Sequence, residues 1–368
     1  MKLQLYFARK FLSILLGIFT VFAVFVVLLD MVEQMRRFDS AELSFGGALE
    51  LAMLSSPEAL YLMLPLVVML ATLALFLGLA RTSELVVTRA AGRSAIRAMI
   101  APAITAALVG VFGVTVLNPL VAATKHGYER KAAELSGSGT SVLSVSREGL
   151  WLRQGGVEGQ TVIRAQRANL DGTELYGVTF IGFAPEGAER TGAVRRAEAE
   201  TAALTDGAWK LTNAKLWPLA VGNPEAESSV HESLLLPSTL TLDQIRDSFG
   251  SPASVPIWEL PGFIRNLDEA GFSARHHRVW FQMELALPLF LAAMVTIGAG
   301  FTMRHTRFGR TGLMVLLALL MGFGAFFIRN FAQILGQNGD IPVSLAAWAP
   351  PAAAMLMSMG LLLHLEDG

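Results

Sequence analysis

Cysteine is absent from the 368 residues, which excludes a disulfide framework, a thiolate metal site and a cysteine nucleophile. Charge is scarce: Asp, Glu, Lys and Arg make up 16% of the chain, and 29 basic residues almost cancel 30 acidic ones. The near-zero total hides segregation along the chain, and no nucleic-acid partner is expected. Catalytic signatures are missing too. There is no GxxxxGK[ST] phosphate loop, GxSxG elbow, HExxH helix or dinucleotide fingerprint. His276-His277 is the nearest thing to a metal pair, but adjacent residues on a helix point to different faces. The expectation is therefore a non-catalytic chain with no metal or cofactor of its own. With no phosphate loop the chain is not expected to hydrolyse ATP by itself, and any energy-driven transport needs a partner.

What the chain has is apolar length. Hydrophobic residues make up 53% of it and the mean hydropathy is +0.50. The runs fall in two groups of three: Phe11–Leu29, Leu60–Ala80 and Met99–Leu117, then Leu285–Phe301, Leu313–Leu335 and Leu345–Leu363. At ~1.5 Å per residue each can cross a hydrocarbon core of ~30 Å, and in lipid each has to be a helix. Lys2, Arg9 and Lys10 ahead of the first run suggest a signal peptide, but the run is too long and Asp30–Arg37 lacks a small-residue cleavage site. It is read as a retained span. With the N-terminus inside, the inside loops hold Arg81, Arg89, Arg93, Arg97, Arg304, Arg307 and Arg310, whereas the short outside loops hold only Arg36 and Arg37. That bias predicts both termini in the cytoplasm and the middle of the chain on the other side of the membrane. Pro65, Pro102, Pro288 and Pro350-Pro351 are read as packing kinks, and the spans hold few acidic residues.

The expected organisation is spans 1–3 in residues 1–135, a β domain with its return segment in 136–265, and spans 4–6 in 266–368. In the middle domain Ser141–Ser146, Leu150–Arg153, Gln160–Arg164, Glu174–Phe183, Ala193–Ala203 and Ala208–Trp217 are strand-like. Asp171-Gly172 is a hairpin signal, and Gly155-Gly156 and Asp206-Gly207 are expected turns. A β-sandwich or jelly-roll-like insert is expected, with a mixed α+β insert as the alternative. Leu242–Phe249 and Trp258–Ala270 are helical in pattern.

Two features carry function. In the inside loop after span 2, Ser83 is an expected N-cap, Glu84 complements the helix dipole, Gly92 is a stop and Ser94 caps the next helix. The short helix 83–92 begins on Leu85, Val86 and Val87, apolar enough to plug into a soluble partner; resting on the bilayer or the protein's own core is the alternative. The second feature is a set of basic residues at the opposite ends of the spans: Arg36, Arg37, Lys125, Arg130, Arg275, Arg278 and Arg329. Together they are expected to ring the outer mouth and hold an anionic headgroup, with guanidinium forks suited to phosphate. Local pairing with Asp30, Glu33, Asp39, Glu129 or Glu134 is the alternative.

These residues carry a family resemblance. Ser83–Gly92 reads SELVVTRAAG and resembles the SELVVMRASG-like coupling segment of the lipopolysaccharide export permeases, the LptF/LptG family. Met31–Arg37 resembles the FVDQLKK-like stretch after span 1 on the LptG side of that family; Asn118-Pro119, Tyr128 and Ile341-Pro342 fit more loosely. Glu129 departs from the pattern, falling where a basic residue is expected. The resemblance implies six spans with a periplasmic jelly roll between the third and fourth. It implies that Glu84, Leu85, Val86 and Arg89 engage an LptB-like ATPase dimer, which binds the ATP and Mg, and that Arg36 and Arg37 lie near lipid A phosphates. It also implies an LptF-like paralogous permease, an LptC/LptA-like periplasmic bridge and lipopolysaccharide as cargo. A non-transporting anchor or sensor, an ion-coupled transporter and an intramembrane enzyme are the rival classes.

Overall fold

The computed structural model describes residues 2–38, 44–90, 94–136, 143–146, 149–156, 159–169, 173–184, 192–205, 207–238, 240, 251–269, 273–303 and 311–367. The helices in chain order are α1 (Lys2–Arg37), α2 (Phe45–Arg81), α3 (Glu84–Ala90), α4 (Ala95–Phe112), α5 (Asn118–Ser136), α6 (Leu260–Glu269), α7 (Arg275–Thr302), α8 (Thr311–Asn338) and α9 (Val343–Asp367). Two compact units form. One comprises Met1–Ser138, Ala253–Trp258 and Arg275–Gly368; the other comprises Gly139–Pro252 and Glu259–Ala274.

In the first unit, six helical segments among the described residues are long and apolar enough to cross a membrane, as the runs predict. They are α1, α2, α4 continuing into α5, α7, α8 and α9. The helices outrun the apolar stretches: α2 begins at Phe45, where the Ser44 hydroxyl accepts the Gly47 amide at 3.2 Å. Ser94 caps α4 in the same way, accepting the Arg97 amide at 3.3 Å, as expected. α7 is buried along most of its length and forms the centre of the unit. The middles of α1 and α8 turn Val21, Phe25, Leu28, Leu320, Phe323 and Phe327 outward, as spans facing hydrocarbon do.

The third span is not a continuous α-helix. Between α4 and α5, Gly113–Leu117 widens into a π-segment, a form that single-turn insertions adopt inside α-helices. It is stitched from outside: the Trp258 indole donates to the Thr115 carbonyl at 3.3 Å, and the Ile257 amide donates to Asn118 Oδ1 at 2.9 Å.

The second unit is β, as expected. Seven strands among the described residues form one antiparallel sheet in consecutive order: β1 (Leu143–Ser146), β2 (Gly149–Gly156), β3 (Gly159–Ala168), β4 (Glu174–Phe183), β5 (Ala193–Thr205), β6 (Ala208–Pro218) and β7 (Ser229–Pro237). Each strand pairs with the next in a meander. β7 is a strand that the sequence pattern did not suggest. Gly155-Gly156 is not a turn: the pair ends β2 in register with Gln160 and Gly159. Asp171-Gly172 and Leu242–Phe249 lie outside the described residues. The period-2 pattern fills one face, with Leu150, Leu152, Ile163, Ala165, Val178, Phe180, Trp209 and Leu211 buried. Phe180 and Trp209 meet edge-on at 6.3 Å, and Phe263, Ile264 and Leu267 of α6 pack on the same core.

Candidate functional site

The functional residues of the first unit fall at three levels along α1 and α2, which run antiparallel. At the Lys2 end of α1, Ser83 leads into α3 but departs from an ordinary N-cap. Its φ is +59°, so the chain turns through the left-handed region before Glu84. Its carbonyl still accepts the first helical bond, from Val87. α3 buries Leu85 and Thr88 and exposes Val86 and Val87. The apolar start of the helix thus divides: Leu85 belongs to the protein's own packing, and the two valines face outward. The Arg89 side chain and Gly92 lie outside the described residues.

Glu84 is tied to α1. Its carboxylate accepts Lys10 Nζ at 2.9 Å, the Tyr6 hydroxyl at 2.8 Å and the Thr82 hydroxyl at 2.9 Å. Partial burial pushes the Glu84 carboxyl up, but these hydrogen bonds and the Lys10 charge outweigh it and hold it below the usual carboxylate range. The contact therefore contributes fully above the unfolded carboxylate's pKa and is lost as pH falls through the lower folded value.

At the Arg37 end of α1, a cavity of about 400 Å³ opens between α1, α2 and α5. Asp30, Glu33, Gln34, Arg37, Ser55, Glu58, Lys125, Tyr128 and Glu129 line it. A chain of hydrogen bonds crosses it: Arg37 donates to Tyr128 at 3.0 Å, Tyr128 to Gln34 at 3.1 Å, Gln34 to Asp30 at 3.2 Å, and Ser55 to Asp30 from the other side. Lys125 pairs with Glu58 at 2.5 Å. Of the seven basic residues expected at the mouth, the cavity brings together Arg37 and Lys125. Arg36 is exposed beside it, 3.6 Å from Glu33, and Arg130 is exposed on α5. Arg278 is exposed on α7. Arg275 has a structural task, donating to the carbonyls of Gly336 at 2.7 Å and Ile341 at 2.8 Å and so closing the end of α8.

Between these levels lies a cluster that the sequence reading did not single out. The spans do hold an acidic group in a polar cluster. Glu284 of α7 is fully buried and accepts a hydrogen bond from Tyr61 of α2. Asn118, at the end of the π-segment, lies beside both side chains. Arg329 of α8 supplies the opposing charge and lies 5.4 Å from the centre of the Phe290 ring. Arg329 is 7% exposed, so it sits inside the helical packing and not on an open rim. Glu284 escaped the sequence reading because it stands one residue before the apolar run at Leu285; an acid flanked by Met283 and Leu285 was the available signal.

A family model described as the lipopolysaccharide export system permease LptF/LptG matches residues 5–364. The lipopolysaccharide export system permease protein LptG of Haemophilus influenzae is 23% identical over 343 residues, covering 92% of each chain. The protein of the same name from Escherichia coli K12 is 24% identical over 340 residues, 92% of this chain and 91% of that one.

Proposed function

The chain belongs to the lipopolysaccharide export system permease LptF/LptG family, and from that membership we propose that it is an LptG-type subunit of an ABC transporter. It takes lipopolysaccharide from the outer leaflet of the inner membrane and delivers it, through its own periplasmic β unit, to an LptC/LptA-like bridge. An LptF-like paralogue completes the membrane part, and an LptB-like ATPase dimer binds ATP and Mg on the cytoplasmic side, where both termini lie. The LptG assignment within the family rests on the Met31–Arg37 motif and on the names of both relatives.

The observation that carries this reading is that the family match spans both units, while α3, between spans 2 and 3, turns Val86 and Val87 outward. Two adjacent exposed valines on a seven-residue helix are suited to an apolar groove on a soluble partner. At the Arg37 end of α1, guanidinium groups of Arg36, Arg37 and Arg130 and the Lys125 ammonium receive phosphates, and the neighbouring carboxylates are displaced from their present partners. Release requires that the two states of the transporter differ in affinity for the lipid.

The direct test is ATP hydrolysis by the reconstituted complex with and without lipopolysaccharide. A transporter is stimulated by its cargo; equal rates would leave an anchor or assembly protein as the better reading. Val87→Asp is expected to weaken retention of the ATPase about tenfold or more, ~1.4 kcal/mol, because it places a carboxylate in an apolar contact. Unchanged co-purification would remove α3 from that interface.

A further inference from the structure

At both ends α1 makes specific polar contacts, and between them its residues are half-buried or exposed. Phe7, Phe11 and Leu15 are its buried residues near the Lys2 end and Gln34 its buried residue near the Arg37 end; none of residues 16–33 is buried. The Lys2 end is fixed on both sides of the coupling segment. Before it, Tyr6 and Lys10, one helical turn apart on one face, both hold Glu84, and Lys10 also donates to the Tyr6 hydroxyl at 2.9 Å. After it, the Gln4 amide donates to the Arg97 carbonyl at 2.6 Å. At the other end, Asp30, Gln34 and Arg37 belong to the hydrogen-bond chain that crosses the cavity.

A proline-free helix joins these two sets of contacts. Lys10 and Asp30 are separated by ~30 Å of helix at ~1.5 Å per residue, and no proline or π-segment interrupts it. A displacement at Glu84 along the helix axis therefore reaches Asp30–Arg37 without being absorbed on the way. Lone exposed ion pairs contribute little, and the Lys10 and Glu84 side chains are 28% and 33% exposed. This contact is more than a lone pair: Glu84 takes three donors, of which the Tyr6 hydroxyl is fixed in place by Lys10.

We infer that Tyr6 and Lys10 are positioning residues that lock span 1 to the coupling helix through Glu84, so that motion of α3 is delivered by α1 to the lipid-facing cavity at its far end. The inference rests on the proposed function and specifies a part of it: Glu84 faces inward to span 1 and the partner ATPase grips the exposed valines.

The test uses the full chain in complex with its ATPase, reconstituted with lipopolysaccharide, and reads lipid released per ATP hydrolysed. Lys10→Gln is expected to keep the ATPase bound and to lower that ratio about fivefold or more, the lower end of ordinary coupling between sites. Lys10→Arg restores it, and Tyr6→Phe, which leaves the ring packing intact, gives a smaller loss in the same direction. A parental ratio in both Lys10→Gln and Tyr6→Phe overturns the inference. So does loss of ATPase co-purification in Lys10→Gln, since that would make the contact a support for docking and not a relay. Failure of the unsubstituted complex to respond to lipopolysaccharide would instead overturn the proposed function, before any variant is compared. The absence of native cysteine permits a second readout, with spin labels on Glu33→Cys and Leu54→Cys. Their separation is expected to change on nucleotide binding in the parent background and to stay fixed when Lys10→Gln is added; a change in both backgrounds counts against the relay.

Discussion

Arg329→Leu is expected to destabilise the membrane unit by about 1–3 kcal/mol, because it removes a favourable charge from the surroundings of buried Glu284 and the guanidinium's contact with the Phe290 ring. The loss comes from what is left behind. Glu284 would stay buried with Tyr61 as its hydrogen-bond partner but without the positive charge of Arg329. Glu284→Leu alone strands the Arg329 guanidinium beside Phe290 and is expected to be comparably harmful. Replacing both by leucine removes the charges together and is expected to recover most of the stability, because buried pairs rarely outperform apolar packing of similar volume. Thermal unfolding of the detergent-solubilised protein checks all three variants. If the double variant is no more stable than the singles, the two side chains do not act as a pair.

The second large effect is expected where α4 crosses α7. A Cβ built on Gly110 would lie 2.6 Å from the Pro288 Cα and 3.0 Å from its nitrogen, both backbone atoms that cannot swing aside. Gly110→Ala is therefore expected to force the two helices apart at a cost of about 1–3 kcal/mol, despite alanine's better helix propensity. Gly322 on α8 offers the contrast. A Cβ there collides with the thioether of Met69, the end of a flexible side chain, so Gly322→Ala is expected to cost less than Gly110→Ala. Unfolding midpoints of the two variants in one detergent make the comparison; the reverse order would mean that the α4–α7 crossing yields more readily than its backbone contact implies.

Both predictions concern features that sequence alone could not supply, and the reason is physical. The spans were legible because lipid imposes one requirement on every residue of a crossing helix, and an apolar run of sufficient length meets it visibly. The β unit was legible in outline because half-buried strands alternate, as Ile163, Ala165, Val178 and Phe180 do. β7 was missed because its Val230 and Leu235 are exposed and its alternation is weak. Pairings between helices have no local signature. Nothing near Glu284 in the sequence announces Tyr61 or Arg329, and nothing near Glu84 announces Lys10 and Tyr6, more than 70 positions away. The basic set shows the same limit. Counting charges at helix ends grouped seven residues, whereas packing separates them into a cavity pair at Arg37 and Lys125, an α8 clamp at Arg275 and a buried partner at Arg329. The short helix after span 2 was legible in position, since it is defined by its own residues; the left-handed turn at Ser83 and the division between buried Leu85 and the two exposed valines needed the fold.

The most direct measurement is photocrosslinking from the cavity between α1, α2 and α5 to lipopolysaccharide. A benzoylphenylalanine in place of Tyr128 reports from the cavity wall and leaves Arg36, Arg37 and Lys125 intact, and the same residue in place of Leu320 on the exposed face of α8 reports general lipid contact. Lipopolysaccharide adducts at position 128 are expected to form without nucleotide and to decline when the bound ATPase turns over ATP, with adducts at position 320 indifferent to ATP. Adducts at 128 that are absent, or that ignore ATP in an intact and active complex, would contradict a cargo site at this end of span 1.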